Sequence, residues 1–178
     1  MKKPYNIAFI DGQNLILSTK RCGWKVDIFR FRKFLEDKYS VREAYYFLGC
    51  VQDAQEDLYF DLQRAGFIVQ FREHSSNMAG LKKGNVDTDI VFEVMRRVIE
   101  SKENDEDSFD KFVLVSGDGD YIKMVKFLIK KELFDKVLFP GPRYSSLYKP
   151  VKELGLTAAL YDPETQNKIE YKKTREAS

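Results

Sequence analysis

Short apolar runs alternate along the chain with segments in which apolar residues recur every three or four positions. The runs are typical of buried parallel strands, and the longer spacing is typical of amphipathic helices. Because the two patterns alternate, we expect an α/β fold, a three-layer α/β/α sandwich in which helices cover both faces of a mainly parallel sheet. The predicted strands are residues 5–10, 41–48, 67–71, 112–115, 136–139 and 156–161.

The helical pattern is clearest where apolar residues fall on one side of a helical wheel. It predicts helices over residues 15–20, 28–38, 54–65 and 86–99, and another that begins after residue 121. We see no internal repeat and no second-domain boundary. The expected organisation is one domain over residues 1–162, followed by a polar, basic tail over residues 163–178 that we expect to be frayed.

One stretch concentrates candidate chemistry. The apolar run 112–115 ends in Ser116-Gly117-Asp118-Gly119-Asp120, and a helical pattern follows. Two carboxylates are therefore expected where a strand ends and a helix begins, the edge at which open α/β sheets bind ligands. Helix capping is the ordinary alternative for Asp120, but capping does not account for two carboxylates flanked by two glycines.

Two further acids fall at comparable places. Asp11 follows the first strand and precedes Asn14, although an Asp there is also a common turn or cap residue. At about 100° per residue, Asp87 falls in line with the apolar side of its helix, whereas Asp89 falls on the opposite side. An inward carboxylate is costly without a partner, so a cap, a metal or a shared proton is expected at Asp87.

Composition narrows the chemistry. Of the 178 residues, 43% are hydrophobic, which suits one globular domain; 30 basic against 28 acidic side chains leave a net charge of only +2. A surface that binds a polyanion must therefore be local. A basic run is usually a solvated face, but we hypothesise that this one steers a polyanion: Lys20, Arg21, Lys25, Arg30, Arg32 and Lys33.

Cysteine and histidine offer little for catalysis. Cys22 and Cys50 form no zinc or redox motif, and His74 is the single histidine. No apolar stretch is long enough to span a bilayer, and the first residues lack a signal-peptide cleavage region. We therefore expect a reduced, cytoplasmic setting with no membrane partner, and chemistry that relies on carboxylates.

Asp11, Asp87, Asp118 and Asp120 would meet at one edge of the predicted sheet. Carboxylates crowded in this way repel one another unless protons or cations share the charge. Oxygen ligands without a histidine cluster suit Mg²⁺ or Mn²⁺, and such an ion activates water and neutralises a phosphate. The expected reaction is therefore hydrolysis of a phosphodiester.

Four polar residues would support that site. Asn14 and Ser116 are expected to orient ligands or water, and Lys83 to meet a phosphate. Arg143 stands beside Ser145 and Ser146 at an expected helix start, where a phosphate can bind, although capping by Ser is the commoner case.

Three stretches resemble the motifs of the NYN domain family of PIN-like nucleases, which includes the bacterial LabA-like proteins. They are residues 9–14 (FIDGQN), 83–87 (KGNVD) and 116–121 (SGDGDY). The resemblance spans roughly residues 5–162 and implies a Rossmann-like, three-layer fold and metal-dependent cleavage of RNA. It implies catalytic and metal-binding roles for four acids, with Asn14 and Ser116 in support: Asp11, Asp87, Asp118 and Asp120. The chain departs from the family pattern at Asn85, an extra residue, and at Glu93, where Asp is frequent.

Other functions remain open at this stage. A non-catalytic RNA-binding or regulatory module could use the same fold, and a homo-oligomer is possible. A phosphatase with an Asp nucleophile is disfavoured because Gln13 occupies the place of its second Asp. A receiver-like domain also gathers acids beside a sheet, but the Ser-Gly-Asp-Gly-Asp turn does not suit it.

Overall fold

The structure is a computed structural model that describes residues 4–49, 55–72, 86–103 and 108–172. Its sheet has six strands, all parallel, in the order β3-β2-β1-β4-β5-β6. The strands are β1 (Asn6–Asp11), β2 (Val41–Leu48), β3 (Ile68–Phe71), β4 (Lys111–Val115), β5 (Phe134–Phe139) and β6 (Thr157–Ala159). The expected parallel sheet is confirmed.

Helices connect the strands and cover the sheet on both faces. In the described part they are α1 (Gly12–Arg21), α2 (Ile28–Tyr39), α3 (Glu56–Ala65), α4 (Val86–Glu103), α5 (Ile122–Lys130), α6 (Lys149–Glu153) and α7 (Pro163–Ile169). None of these helices combines the length and the apolar character needed to cross a bilayer.

Alternate residues of the central strands divide between two hydrophobic cores. Ile7 and Phe9 of β1 join the core beneath α4, α5 and α6, whereas Ala8 and Ile10 join the core beneath α1, α2, α3 and α7. Since side chains alternate across a strand, a strand buried on both faces reads as the continuous apolar run seen in the sequence. The three-layer α/β/α prediction is confirmed.

The strand order reverses direction between β1 and β4. Chain connections run outward from β1 through β2 to β3, and outward from β4 through β5 to β6. Ile10 pairs with Val115, so the next residues, Asp11 at the end of β1 and Ser116 just after β4, lie side by side at the edge of the sheet. This is the topological switch point at which open α/β sheets leave a crevice for ligands.

The segment after Asp162 differs from the frayed tail that we expected. Asp162 caps α7 by accepting a hydrogen bond from the Thr165 N–H, and Ile169 is fully buried. The backbone N–H of Asp27 donates to the Ile169 carbonyl at 2.8 Å. The buried Ile169 side chain and the hydrogen bond from Asp27 therefore dock this segment. Residues 173–178 lie outside the described part.

Candidate metal centre

The turn after β4 is built by hydrogen bonds among its own residues. The Asp118 N–H donates to Ser116 Oγ at 3.1 Å, and the Asp120 N–H donates to the Asp118 carboxylate at 3.0 Å. The buried Tyr148 hydroxyl donates to the Asp118 carbonyl at 2.6 Å. Residues Gly119–Tyr121 then form one 3₁₀ turn that leads into α5. Asp118 therefore caps this 3₁₀ turn, and the cap fixes the direction of the Asp120 backbone.

The two glycines of this turn allow the loop between β5 and α6 to come close. A Cβ atom on Gly119 would lie 2.5 Å from Ser145 Oγ, and one on Gly117 would lie 3.0 Å from Tyr144 Cβ. The Ser145 N–H also donates to the Gly117 carbonyl at 2.9 Å. The glycine positions therefore reflect close packing of two loops at the edge of the sheet.

Three carboxylates from two chain segments converge beside this turn. Asp87, in the first turn of α4, has an oxygen within 4.8 Å of oxygens of Asp118 and Asp120, which are likewise close to each other. Asp87 is buried, Asp118 is half-buried and Asp120 is exposed. The group therefore runs from the protein interior to the surface, with one acid open to an incoming ligand.

Asp11 is not one of the three carboxylates whose oxygens lie within 4.8 Å of one another, and it has its own hydrogen bonds. One of its oxygens accepts from the Asn14 N–H at 2.9 Å, and the other accepts from Ser116 Oγ at 3.3 Å. Burial, and next the charge of Asp87, raise the pKa of the Asp11 carboxyl above its ordinary value, while these hydrogen bonds oppose the rise. A negative charge at Asp11 is thus costly in the protein alone.

Tyr121 joins Asp11 to the group through its fully buried hydroxyl. That oxygen lies 2.5 Å from Asp87 Oδ1 and 3.2 Å from Asp11 Oδ2. Burial and the two carboxylates raise the pKa of Tyr121, so the phenol keeps its proton. One hydroxyl proton cannot serve both carboxylates equally, and the shorter contact indicates that it is donated to Asp87.

The sequence did not identify Tyr121 as a site residue. Its place directly after the Ser-Gly-Asp-Gly-Asp turn was the available signal, because a buried tyrosine usually finds a partner for its hydroxyl. The direction of its ring depends on the packing of α4 against the turn, which periodicity does not reveal.

The predicted supporting residues fall into three groups. Asn14 and Ser116 are at the centre: Asn14 Oδ1 accepts from the Gly117 N–H at 2.9 Å, and Ser116 Oγ lies between Asp11 and the Asp118 backbone. Arg143 is exposed and lines a separate cavity along α1. Lys83 lies outside the described residues.

The expected helix start at Arg143 is displaced along the chain. A 3₁₀ turn begins at Ser146, and the Ser145 hydroxyl caps it by accepting from the Leu147 N–H. The serine therefore takes the capping role, and Arg143 belongs to the preceding loop. A phosphate contact by Arg143 would accordingly use its side chain alone.

The donor set fits a hard divalent cation. Its oxygens are all carboxylate oxygens, they come from rigid elements, and they lie close enough to share one ion. Three acids held together also repel unless a cation or protons balance them. In the described part of the chain, the group formed by Asp87, Asp118 and Asp120 could therefore hold a divalent metal ion.

Comparisons with known proteins match both the fold and the motifs. The NYN domain family model matches residues 6–140. The "low amplitude and bright protein LabA" of Synechococcus elongatus is 26% identical over 141 residues, which cover 73% of this chain and 71% of that protein.

A solved structure shares the architecture. The crystal structure of a Vibrio parahaemolyticus protein of unknown function superposes with a TM-score of 0.72 and 20% identity, covering 96% of this chain and 100% of the other. At that identity the likeness shows the fold alone. The matched family region contains all four candidate acids of the sequence prediction.

Proposed function

The chain belongs to the NYN domain family, and on that premise we propose that it is a metal-dependent endoribonuclease that hydrolyses RNA phosphodiester bonds. One observation carries the proposal: Asp87 meets Asp118 and Asp120 within 4.8 Å. They meet beside the switch point of the parallel sheet, where such folds bind ligands. The nuclease character of the family directs the chemistry of this centre toward phosphodiesters.

Asp87, Asp118 and Asp120 would hold Mg²⁺ or Mn²⁺. Such an ion, when bound, supplies positive charge for the phosphate and makes water a better nucleophile. Asp120 is exposed and faces incoming substrate, while the buried Asp87 anchors the group to α4. The rigid turn holds Asp118 in place through hydrogen bonds at both its side chain and its carbonyl.

Asp11 has a distinct part in the proposed site. Asp11 orients the turn by accepting a hydrogen bond from Ser116 Oγ. It also contacts the hydroxyl of Tyr121, which donates to Asp87. It adds a fourth carboxylate beside the group, and burial raises its pKa above the ordinary value, which favours its protonated form while no cation is bound. Asn14 positions it by joining α1 to the Gly117 N–H.

The proposal is tested by incubating the full chain with end-labelled single-stranded RNA and Mg²⁺ or Mn²⁺, and with EDTA. We expect internal cleavage with metal, none in EDTA, and a loss on the order of 100-fold or more in Asp118→Asn and Asp11→Asn. Asp61→Asn is the matched control because Asp61 is exposed on α3. Undiminished cleavage in both site variants would overturn the proposed site.

The same assay addresses the alternative of a non-catalytic RNA-binding module. RNA that is bound but stays intact with every divalent cation would favour that module over the nuclease. A gel of the products together with an equilibrium binding curve separates the two outcomes.

A further inference from the structure

A cavity of about 340 Å³ opens at the C-terminal end of α1, outside the group of carboxylates. It is lined by Ser18, Arg21, Cys22, Gly141, Pro142 and Arg143. Two arginines from separate segments thus face one space, one from the last turn of α1 and one from the loop between β5 and α6. We call this space the arginine pocket.

The arginine pocket shares both of its walls with the metal centre. Helix α1 begins at its cap, Asp11, and Ser18 lies seven residues further, about 10 Å along the helix axis. The loop that carries Arg143 is bonded to the acidic turn through the Ser145 N–H and the Gly117 carbonyl at 2.9 Å. The pocket is therefore held at a fixed distance from the carboxylates.

Close approach of the loop to α1 forms the wall of the pocket. A Cβ atom on Gly141 would lie 3.2 Å from Ser18 Cβ and 3.6 Å from Cys22 Sγ. Gly141 itself is buried, whereas Arg21, Cys22 and Arg143 are exposed. The space is therefore lined by backbone and small groups, with two long cationic side chains at its surface.

Arg21 and Arg143 differ from three cations of the basic run that have partners within the protein. Arg32 donates to three backbone carbonyls, Lys33 pairs with Asp37, and Arg30 pairs with Asp27. Within the described residues, Arg21 and Arg143 make neither a salt bridge nor a hydrogen bond to the protein. Their donors are thus available to an external ligand.

The chemistry of the pocket favours a phosphate group. Guanidinium groups match phosphate oxygens with paired hydrogen bonds. The C-terminal end of α1 carries partial negative charge, roughly half an elementary charge, which opposes an anion. Two full positive charges outweigh that opposition, so binding should depend strongly on the arginines.

We propose that the arginine pocket binds a phosphate of the RNA strand within about three nucleotides of the one that is cut. The inference rests on the proposed function. A stacked strand rises about 3.4 Å per nucleotide, so the 10 Å between Asp11 and Ser18 corresponds to about three stacked nucleotides, or fewer in an extended strand. The pocket would fix the position of the strand relative to the carboxylates.

The test measures binding of single-stranded RNA to the full chain in EDTA, where cleavage does not contribute. Arg21→Gln and Arg143→Gln should each weaken binding about fivefold to tenfold, and each should reduce the dependence of log K on log salt by about 0.7. Arg64→Gln is the matched control, because Arg64 also lies exposed in the last turn of a helix, α3.

Oligonucleotides with a 5′-phosphate and with a 5′-hydroxyl identify the source of the phosphate. If the arginines matter equally for both, the pocket holds an internal phosphodiester; if they matter only for the phosphorylated strand, it holds the terminal group. A loss no greater than that of Arg64→Gln with both strands would overturn the pocket.

Cys22 provides a second readout that is independent of the arginine substitutions. In a Cys50→Ser variant, RNA should slow alkylation of the exposed Cys22 thiol, and adding Arg143→Gln should reduce this protection. Unchanged alkylation in the presence of bound RNA would contradict the proposal.

Cleavage assays on the same variants separate this inference from the proposed function. If RNA is cleaved with metal, and the two arginine variants bind and cleave it as well as Arg64→Gln does, the proposed nuclease is supported and the pocket is refuted. If RNA binding depends on the two arginines but no RNA is cleaved with metal, the pocket is supported and the proposed nuclease is refuted. Absence of both RNA binding in EDTA and cleavage with metal overturns both.

Discussion

At the scale of single residues, the centre depends on one hydroxyl proton that lies between two buried carboxylates. The Tyr121 hydroxyl has one hydrogen and lies within reach of two carboxylates, at 2.5 Å from Asp87 and 3.2 Å from Asp11. Both acids are almost fully buried, so an uncompensated charge on either is expensive. The tyrosine lowers the repulsion between them without adding positive charge.

Replacing Tyr121 by Phe should expose this role. The ring stays buried, but Asp87 loses the donor that Tyr121 provides, and we expect the metal-free protein to lose about 1–3 kcal/mol of stability. We also expect weaker Mn²⁺-dependent cleavage, because Asp87 is held less firmly. Thermal unfolding and cleavage rates measure the two effects.

Tyr45→Phe is the matched control for that variant. Tyr45 is also buried, but its hydroxyl donates to Glu43, which is not one of the carboxylates of the centre. Its loss should lower stability without altering how cleavage depends on Mn²⁺ concentration. An identical Mn²⁺ dependence in both variants would refute the special role of Tyr121.

Asp11→Asn should stabilise the metal-free protein while reducing activity. The pKa of Asp11 is raised in the folded state from an ordinary value of 3.8. Its contribution to stability is therefore complete below that ordinary value and is lost as the pH rises through the folded pKa. At pH 7 the ionised carboxylate is unfavourable, and a neutral amide removes that cost.

We expect a gain of about 1 kcal/mol for Asp11→Asn at pH 7, or about 2–4 °C in Tm for a chain of this size. The gain should shrink as the pH falls, because the wild-type carboxyl then becomes neutral as well. Thermal melts in EDTA, from pH 7 down to the ordinary carboxyl pKa of 3.8, measure this gain, with Asp61→Asn for comparison. A lower Tm for Asp11→Asn at pH 7 would contradict this view of Asp11.

At the scale of elements, the turn between β4 and α5 is the rigid part of the centre. Its glycines are dictated by packing, since a Cβ on Gly119 would meet both Ser145 Oγ at 2.5 Å and Ser145 Cβ at 2.9 Å. A side chain there forces the turn or the loop to move, which displaces the neighbouring Asp118 and Asp120.

Gly119→Ala should therefore cost about 1–3 kcal/mol of stability and reduce cleavage more than stability alone explains. Gly49→Ala is the control, because a Cβ at Gly49 meets nothing within 4 Å among the described residues. The cleavage rates of Gly119→Ala and Gly49→Ala are compared at a temperature well below the Tm of both variants. Full activity in Gly119→Ala would show that the turn tolerates displacement.

Much of the element pattern could be predicted from the apolar runs. The strand over residues 41–48 coincides with β2, and the inward position of Asp87 follows from its alignment with Val91 and Val94 on one side of α4. Helix α7 escaped this reasoning because its apolar signal is small: Ile169 alone among its residues is a buried hydrophobic.

Ile169→Ala tests whether α7 is part of the core. Removing this fully buried side chain should cost about 2–5 kcal/mol. Lys168→Ala, which breaks only an exposed pair with Glu164, should cost less than about 1 kcal/mol. Denaturant unfolding distinguishes them, and equal, small losses would mean that the segment contributes little.

At the scale of the whole molecule, strand order accounts for how distant acids meet. The reversal between β1 and β4 places Asp11 beside the acidic turn, and α4, which precedes β4 in the chain, brings Asp87 to the same edge. The positions of the acids in the sequence, relative to the predicted strands and helices, predicted that they would meet at this edge of the sheet. They did not predict that only Asp87, Asp118 and Asp120 would have oxygens within 4.8 Å of one another, because that depends on the direction of individual side chains.

Direct Mn²⁺ binding to the full chain, followed by calorimetry or by electron paramagnetic resonance, tests the central claim most directly. We predict saturable binding by the wild type, at least tenfold weaker binding by Asp87→Asn and by Asp118→Asn, and unchanged binding by Asp61→Asn. Asp87 and Asp118 belong to different elements, so a shared effect requires one centre. No Mn²⁺ binding by the wild type, or wild-type affinity in both variants, would contradict the account.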